Sequence, residues 1–292
     1  MLYLEKKSKV AGPVVWLVGG LHGDEPGGEA VIRTLFKKLE TVELIRGSLH
    51  AFPLVNENGA EKKIRELPDT GEDLNRLFPG RLGGTLGEEI AHNIWQTIIV
   101  SKPNLVLDLH NDWINSIPYI LIENDHSAPT ALASGLIVVR ENFKTLSAPE
   151  RTLSGSLTKI GIPALTLELG GACVVDPSHR GVAEVDEKNV RIGMNAISRI
   201  LCHLGLIDQE VFPNTQTSTG KLFNYSDEPK PTISGPIQIF VKSGQMVKKG
   251  DLIARIGNSE ELFAGEKAVV LGFTDKTISK PDQEILAFGM ES

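Results

Sequence analysis

Five consecutive apolar residues, Val14-Val15-Trp16-Leu17-Val18, run directly into a glycine turn, Gly19-Gly20-Leu21-His22-Gly23-Asp24-Glu25. Such a run without polar alternation reads as a buried strand, and a helical pattern follows it, with Ala30, Val31, Leu35, Phe36 and Leu39 at helical spacing. The same alternation recurs along the first two hundred residues. Strands are expected at 48–55, 104–110, 118–122, 135–140 and 164–169, and helices at 85–100, 153–160 and 182–204, the last ending at Gly205. Thr85 is placed to cap its helix, with Glu88 and Glu89 in the first turn. This order predicts an α/β fold with a mixed, mostly parallel central sheet flanked by helices on both faces.

In such sheets, chemistry collects just beyond the carboxyl ends of strands. His22, His110 and Glu168 all fall there. His22 and Glu25 offer an imidazole and a carboxylate three residues apart, and His110 supplies a third donor from a distant strand end, which is the pattern of a catalytic zinc site. Asp108, two residues before His110 on the same side of its strand, is suited to orient that imidazole. A plainer reading fits the same residues: a hydrogen-bonded core histidine and a carboxylate at a helix N-terminus. Glu168 ends an apolar strand, where it either leans into solvent or serves as a general base beside a metal. Residues 56–82 are polar and rich in Gly and Pro, as in a long functional loop. They hold Asp73-Leu74-Asn75-Arg76-Leu77-Phe78-Pro79-Gly80, where Asn75 and Arg76 are suited to grip a carboxylate, and Arg65, which is either a further anion contact or a solvated surface residue. His50, His92, His126, His179 and His203 lack partner spacing and are read as ordinary histidines.

Composition narrows the classes. The 292 residues carry a net charge of -7, from 30 basic and 37 acidic side chains, which argues against nucleic acid and anionic membrane as partners. Two cysteines without CxxC spacing, a charged N-terminus and no apolar stretch long enough to span a bilayer point to a reduced, cytoplasmic protein. No P-loop, Gly-x-Ser-x-Gly elbow or dinucleotide-binding glycine pattern is present. Beyond residue 207 the character changes. Residues 213–234 have no helical period, and short alternating segments at 237–241, 252–256 and 268–273 follow between glycines. Two domains are expected, an α/β domain at 1–207 that carries the candidate zinc site and a small all-β domain at 208–292.

Four motifs in order, Gly-Gly-Leu-His22-Gly-Asp-Glu25, Asp73-Leu-Asn75-Arg76-Leu-Phe-Pro-Gly, Asp108-Leu-His110-Asn and Thr166-Leu-Glu168-Leu-Gly-Gly, resemble the succinylglutamate desuccinylase/aspartoacylase family, on the zinc carboxypeptidase fold. The resemblance runs from about Val14 to Leu206. It implies one zinc ion per chain held by His22, Glu25 and His110, Glu168 as general base, and Asn75 with Arg76 binding a substrate carboxylate. It further implies Arg65 polarising the scissile carbonyl, Arg151 as a candidate second arginine, and a homodimer. Gly244-Gln-Met-Val-Lys-Lys-Gly250-Asp-Leu-Ile resembles lipoyl/biotinyl-like β-barrels. The Met-Lys-Met hairpin of the modified lysine is missing, so a cap over the pocket is expected rather than a carrier. The implied activity is zinc-dependent amide hydrolysis of a small, anionic N-acyl amino acid. A carboxypeptidase acting on short or cell-wall peptides is the nearest alternative, and a binding protein on a decayed hydrolase scaffold is a more distant one.

Overall fold

The computed structural model describes residues 1–141, 151–171, 187–208 and 220–291. In chain order the first part comprises β1 (Leu4–Lys7), β2 (Val14–Gly19), α1 (Gly27–Leu39), β3 (Ser48–Phe52), α2 (Glu57–Lys62), α3 (Leu86–Val100), β4 (Leu105–His110), β5 (Asn115–Ser116), β6 (Tyr119–Ile122), α4 (Ala128–Ala133), β7 (Ile137–Arg140), α5 (Leu153–Lys159), β8 (Ala164–Glu168) and α6 (Glu187–His203). The second part comprises β9 (Lys221–Ser226), β10 (Gly235–Ile239), β11 (Met246–Val247), β12 (Leu252–Ile256), β13 (Glu260–Phe263), β14 (Ala268–Phe273), β15 (Ile278–Ser279) and β16 (Leu286–Met290).

The apolar run at β2 is contiguous because both of its faces are covered. Val15 and Leu17 pack against Val31, Ile32 and Leu35 of α1 and Ile197 and Ile200 of α6, while Trp16 and Val18 join Ile94 and Ile98 of α3 and Leu157 of α5 on the opposite face. Strands β3, β2, β4 and β8 run parallel side by side, in the order β1-β3-β2-β4-β8-β6-β7-β9-β16-β14-β11, and β6 runs antiparallel to β8. The fold is therefore α/β with a mixed central sheet flanked by helices. A separate antiparallel sheet, β13-β12-β10-β15, lies near the C-terminus.

Helix α3 begins with the expected Thr85 cap, completed as a reciprocal capping box by Glu88. Gly205 closes α6 with φ of 73°, the left-handed conformation that suits glycine at a helix end. Residues 182–186 of that expected helix lie outside the described residues. One expectation is corrected. The segment 56–82 is not all loop, because the Asn56 side chain accepts from Gly59 N and caps the six-residue α2, too short for a periodic signature. A 3-10 turn, Leu74–Arg76, is capped in the same way by Asp73. The segment 213–234 contains β9, which pairs in parallel with β7 and antiparallel with β16, so the main sheet continues beyond residue 207. That pairing is non-local and leaves no periodic trace in a six-residue strand.

Candidate metal centre and its cavity

The register of the parallel strands sets the site. Gly19 lies opposite Leu109 and His110 opposite Glu168, so the turn after β2 and the ends of β4 and β8 share one rim. Gly23 allows that turn to pass close under α2, since a Cβ there would sit 2.1 Å from the Gly59 carbonyl carbon. His22, Glu25 and His110 converge as expected and are almost fully buried, with exposures of 3%, 7% and 4%. Glu25 Oε1 lies 2.7 Å from His22 Nδ1, and Oε2 lies 2.8 Å from His110 Nδ1 and accepts the Asn111 N–H at 3.0 Å.

The outer nitrogens of both rings face carboxylates. His22 Nε2 is 3.1 Å from Asp73 Oδ1, and His110 Nε2 is 3.0 Å from Asp108 Oδ2. A carboxylate behind the outer nitrogen places the proton of a neutral ring there and turns the Nδ1 lone pair inward. Two inward lone pairs, with Nδ1 atoms 3.2 Å apart, and a carboxylate then meet at one point. That arrangement calls for positive charge at its centre, either protons on the ring nitrogens or a metal ion, and a two-nitrogen, one-carboxylate donor set is of the kind that holds a transition metal such as zinc. The electrostatics agree. Although burial opposes both shifts, His22 and His110 hold the Glu25 carboxyl well below its usual range, and Asp108 and Glu25 push His110 well above the usual imidazole value. The cluster attracts positive charge.

Glu168 stands beside this trio, its Oε2 buried and without a hydrogen-bond partner. Burial raises its carboxyl well above the usual value, with His110 pulling the other way. Arg65 is tethered on both sides, donating from Nε to Asp73 Oδ2 at 3.1 Å and from Nη1 to Glu25 Oε1 at 3.2 Å. Arg76 donates from Nη1 to the Asn75 carbonyl at 2.8 Å. Asn75 is largely engaged within the protein: Oδ1 accepts the Leu153 N–H at 2.8 Å, and Nδ2 lies 3.1 Å from His110 Nε2. All seven expected site residues line one cavity of about 340 Å³. Arg151 does not line it and is exposed on the surface. His50 is held between Ser48 Oγ and Tyr3 OH, away from the site, and His179 lies outside the described residues.

Several lining residues escape the sequence reading. Asp112 follows His110 by two positions and accepts the Tyr119 hydroxyl at 2.8 Å, so its proximity to the strand end was a usable signal. Tyr225, Asp227, Glu284 and Glu141 also line the cavity, and nothing in their local sequence marks them. Asp73 was legible as part of its motif but not as the partner of His22.

Comparison with known proteins identifies relatives that share the fold. A relative from Halomonas elongata, described as N-alpha-acetyl-L-2,4-diaminobutyric acid deacetylase, is 26% identical over 256 residues, spanning 84% of this chain and 70% of the relative. A succinylglutamate desuccinylase/aspartoacylase structure from Rhodobacter sphaeroides superposes with a TM-score of 0.79 at 23% identity, covering 99% of this chain and 88% of the other. The product-bound ectoine utilization protein from Ruegeria pomeroyi gives a TM-score of 0.76 at 21% identity, over 97% and 87% of the two chains. A metallo-carboxypeptidase from Burkholderia cenocepacia shares the fold more distantly, with a TM-score of 0.55 at 16% identity over 69% of this chain and 60% of its own. Residues 11–192, more than half of the 292, match the family model of the succinylglutamate desuccinylase/aspartoacylase catalytic domain, and the chain belongs to that family.

Proposed function

We propose that this chain is a zinc-dependent amide hydrolase that removes the acyl group from a small, carboxylate-bearing N-acyl amino acid. The observation that carries the reading is the convergence of two Nδ1 atoms and one carboxylate beside the unpartnered Glu168 Oε2, all inside one small cavity. The deacetylase name of the Halomonas relative supports amide cleavage in an N-acyl amino acid.

Zinc held by His22, Glu25 and His110 would supply Lewis acidity, polarising the amide carbonyl and lowering the pKa of water. The side chains around it divide the remaining work. Glu168 accepts the proton of the attacking water through Oε2 and returns it to the departing nitrogen. Arg65, fixed by Asp73 and Glu25, brings positive charge to the carbonyl oxygen as negative charge grows there. Asp73 and Asp108 hold the two imidazoles in orientation. Arg76, with Asn75 beside it, receives the substrate carboxylate.

Residues 1–207 act as the hydrolase domain in this reading, and 208–292 as a small β domain that closes the cavity. An apolar cluster drawn from 241–288 and the lining positions of Tyr225, Asp227 and Glu284 support that division. No helix among the described residues is long and apolar enough to cross a membrane, and with only two cysteines the cytoplasm is the compartment we assign.

The test is a mass-spectrometric turnover panel with zinc-loaded protein on N-acetyl, N-succinyl and N-formyl amino acids and short peptides. Release of free amino acid from one acyl class, abolished by a chelator and restored by zinc, is the expected result. Cleavage confined to peptides would transfer the chain to carboxypeptidase chemistry. Absence of turnover across the panel by protein with bound zinc would refute the hydrolase reading.

A further inference from the structure

Asn111 and Gly170 belong to two of the four sequence motifs and have no part in the mechanism above. Asn111 follows His110 at the end of β4 and lines the cavity. Its Oδ1 accepts the Gly27 N–H at 2.8 Å, and its Nδ2 donates to the Gly170 carbonyl at 2.8 Å. One bond needs an acceptor and the other a donor, so the amide has a single orientation. The main-chain N–H of the same residue donates to Glu25 Oε2 at 3.0 Å. Asn111 therefore joins the turn after β2, the end of β4 and the turn after β8, the segments that carry the three candidate ligands and Glu168. The chain is shaped to receive it on both sides. Pro26, at the N-cap of α1, offers no side-chain cap, so the Gly27 N–H has no partner within its helix and Asn111 supplies one from another strand. A Cβ on Gly27 would stand 2.6 Å from Asn111 Oδ1. Gly170 has φ of 65°, and a Cβ there would meet the Ser116 carbonyl oxygen at 2.6 Å, so the turn that presents its carbonyl to Asn111 requires glycine.

Glu168 Oε2 is buried without a hydrogen-bond partner, so no bond steers that oxygen and its aim is inherited from the backbone that carries it. That backbone is held by the Leu169 N–H, which donates to the His110 carbonyl at 2.9 Å, and one residue further on by the Asn111 amide on Gly170. A general base must stand within hydrogen-bond reach of the proton it takes, and a displacement of about 1 Å costs about 100-fold in rate. Resting on the deacylase reading above, we propose that Asn111 is a positioning residue. Its side-chain amide braces the metal-ligand turn, through Gly27, against the turn that follows Glu168, through Gly170, and so sets the base relative to the metal. The two ends of the amide have separate duties, Oδ1 on the metal side and Nδ2 on the base side.

Asn111→Asp and Asn111→Ala separate the two duties. A carboxylate still accepts from Gly27 but opposes the Gly170 carbonyl, whereas alanine leaves both partners unmet. Both full-length variants are titrated with zinc against a chelator and then assayed, zinc-saturated, on the N-acyl amino acid that the parent cleaves fastest. Asn111→Ala should lose zinc affinity about 10-fold, and Asn111→Asp should keep or raise it, since only alanine releases the metal-ligand turn. Both should lose about 100-fold in kcat with KM near the parental value, because the base is displaced while the grip at Arg76 is untouched. A role confined to folding would lower the melting temperature and leave kcat per bound zinc unchanged, and that result overturns the proposal. So does a kcat loss seen in Asn111→Asp alone, which marks an effect of the added charge, and so does parental zinc affinity in Asn111→Ala. Each of these leaves the deacylase reading standing. If the zinc-loaded parent cleaves nothing in the panel, the deacylase reading falls and the base-side duty falls with it, while a loss of zinc affinity confined to Asn111→Ala still establishes the metal-side brace.

Discussion

Glu168→Gln separates a proton acceptor from a structural side chain more cleanly than any other change at this site. The side chains are isosteric, and Oε2 makes no hydrogen bond that the substitution would break. Glu168 lies directly opposite His110 in the β4–β8 ladder, where neighbouring strands run about 4.8 Å apart, so it faces the metal position without belonging to the converging trio. The change should therefore leave zinc binding intact. General acid–base catalysis by one placed side chain is worth roughly 10²- to 10⁴-fold, so kcat should fall by about 3–5 kcal/mol of barrier. Stability should move the other way. Burial raises the Glu168 carboxyl well above its usual value, which means that the folded chain holds the charged form at a cost a neutral amide does not carry. The expected signature is a large loss of kcat on the best substrate of the panel, full zinc content by atomic absorption, and a melting temperature equal to or above that of the parent protein. A variant that keeps zinc and stays within tenfold of parental kcat would show that Glu168 is not the base. A variant that loses zinc would move Glu168 into the metal site itself.

Asp108→Asn leaves the shape at His110 nearly unchanged but removes the charge behind Nε2, and zinc affinity should fall about 10- to 100-fold in a chelator competition titration. Unchanged affinity would mean that Asp108 does not support the ligand. Glu123 is raised from 4.5 to about 7, chiefly by burial, despite accepting the Ser154 hydroxyl. The folded protein therefore binds this proton more tightly than the unfolded chain. Glu123 costs nothing below the unfolded value, and its penalty grows as pH rises toward 7 and is complete above it. Glu123→Gln should raise the melting temperature at pH 8, by on the order of 1–3 kcal/mol of stability, and leave it unchanged near pH 4. An equal effect at both pH values would contradict the burial argument.

His22, Glu25, His110 and Glu168 were legible because each follows directly from a strand whose apolar run marks it as buried, so strand end and chemistry share one short segment. Local spacing likewise determined the Thr85 cap and the glycine at the end of α6, whose hydrogen bonds close within a few residues. Long-range register decided the rest. Asp73 became the partner of His22 only when the segment from 56 to 82 folded over the glycine turn, and Asn75 turned its amide toward His110 and Leu153 across the sheet rim. The clearest case is the distal wall. Tyr225, Asp227 and Glu284 look like ordinary polar residues of a β segment, and their place in the cavity depends on β9 pairing with β7 on one side and β16 on the other. Chain propensity and hydrophobic period act over a turn or a strand, and they determined which strand ends carry the candidate metal ligands. The partners that orient those ligands, and the carboxylates that shape the other end of the cavity, are brought there by pairings between residues far apart in the chain, which only the tertiary structure decided.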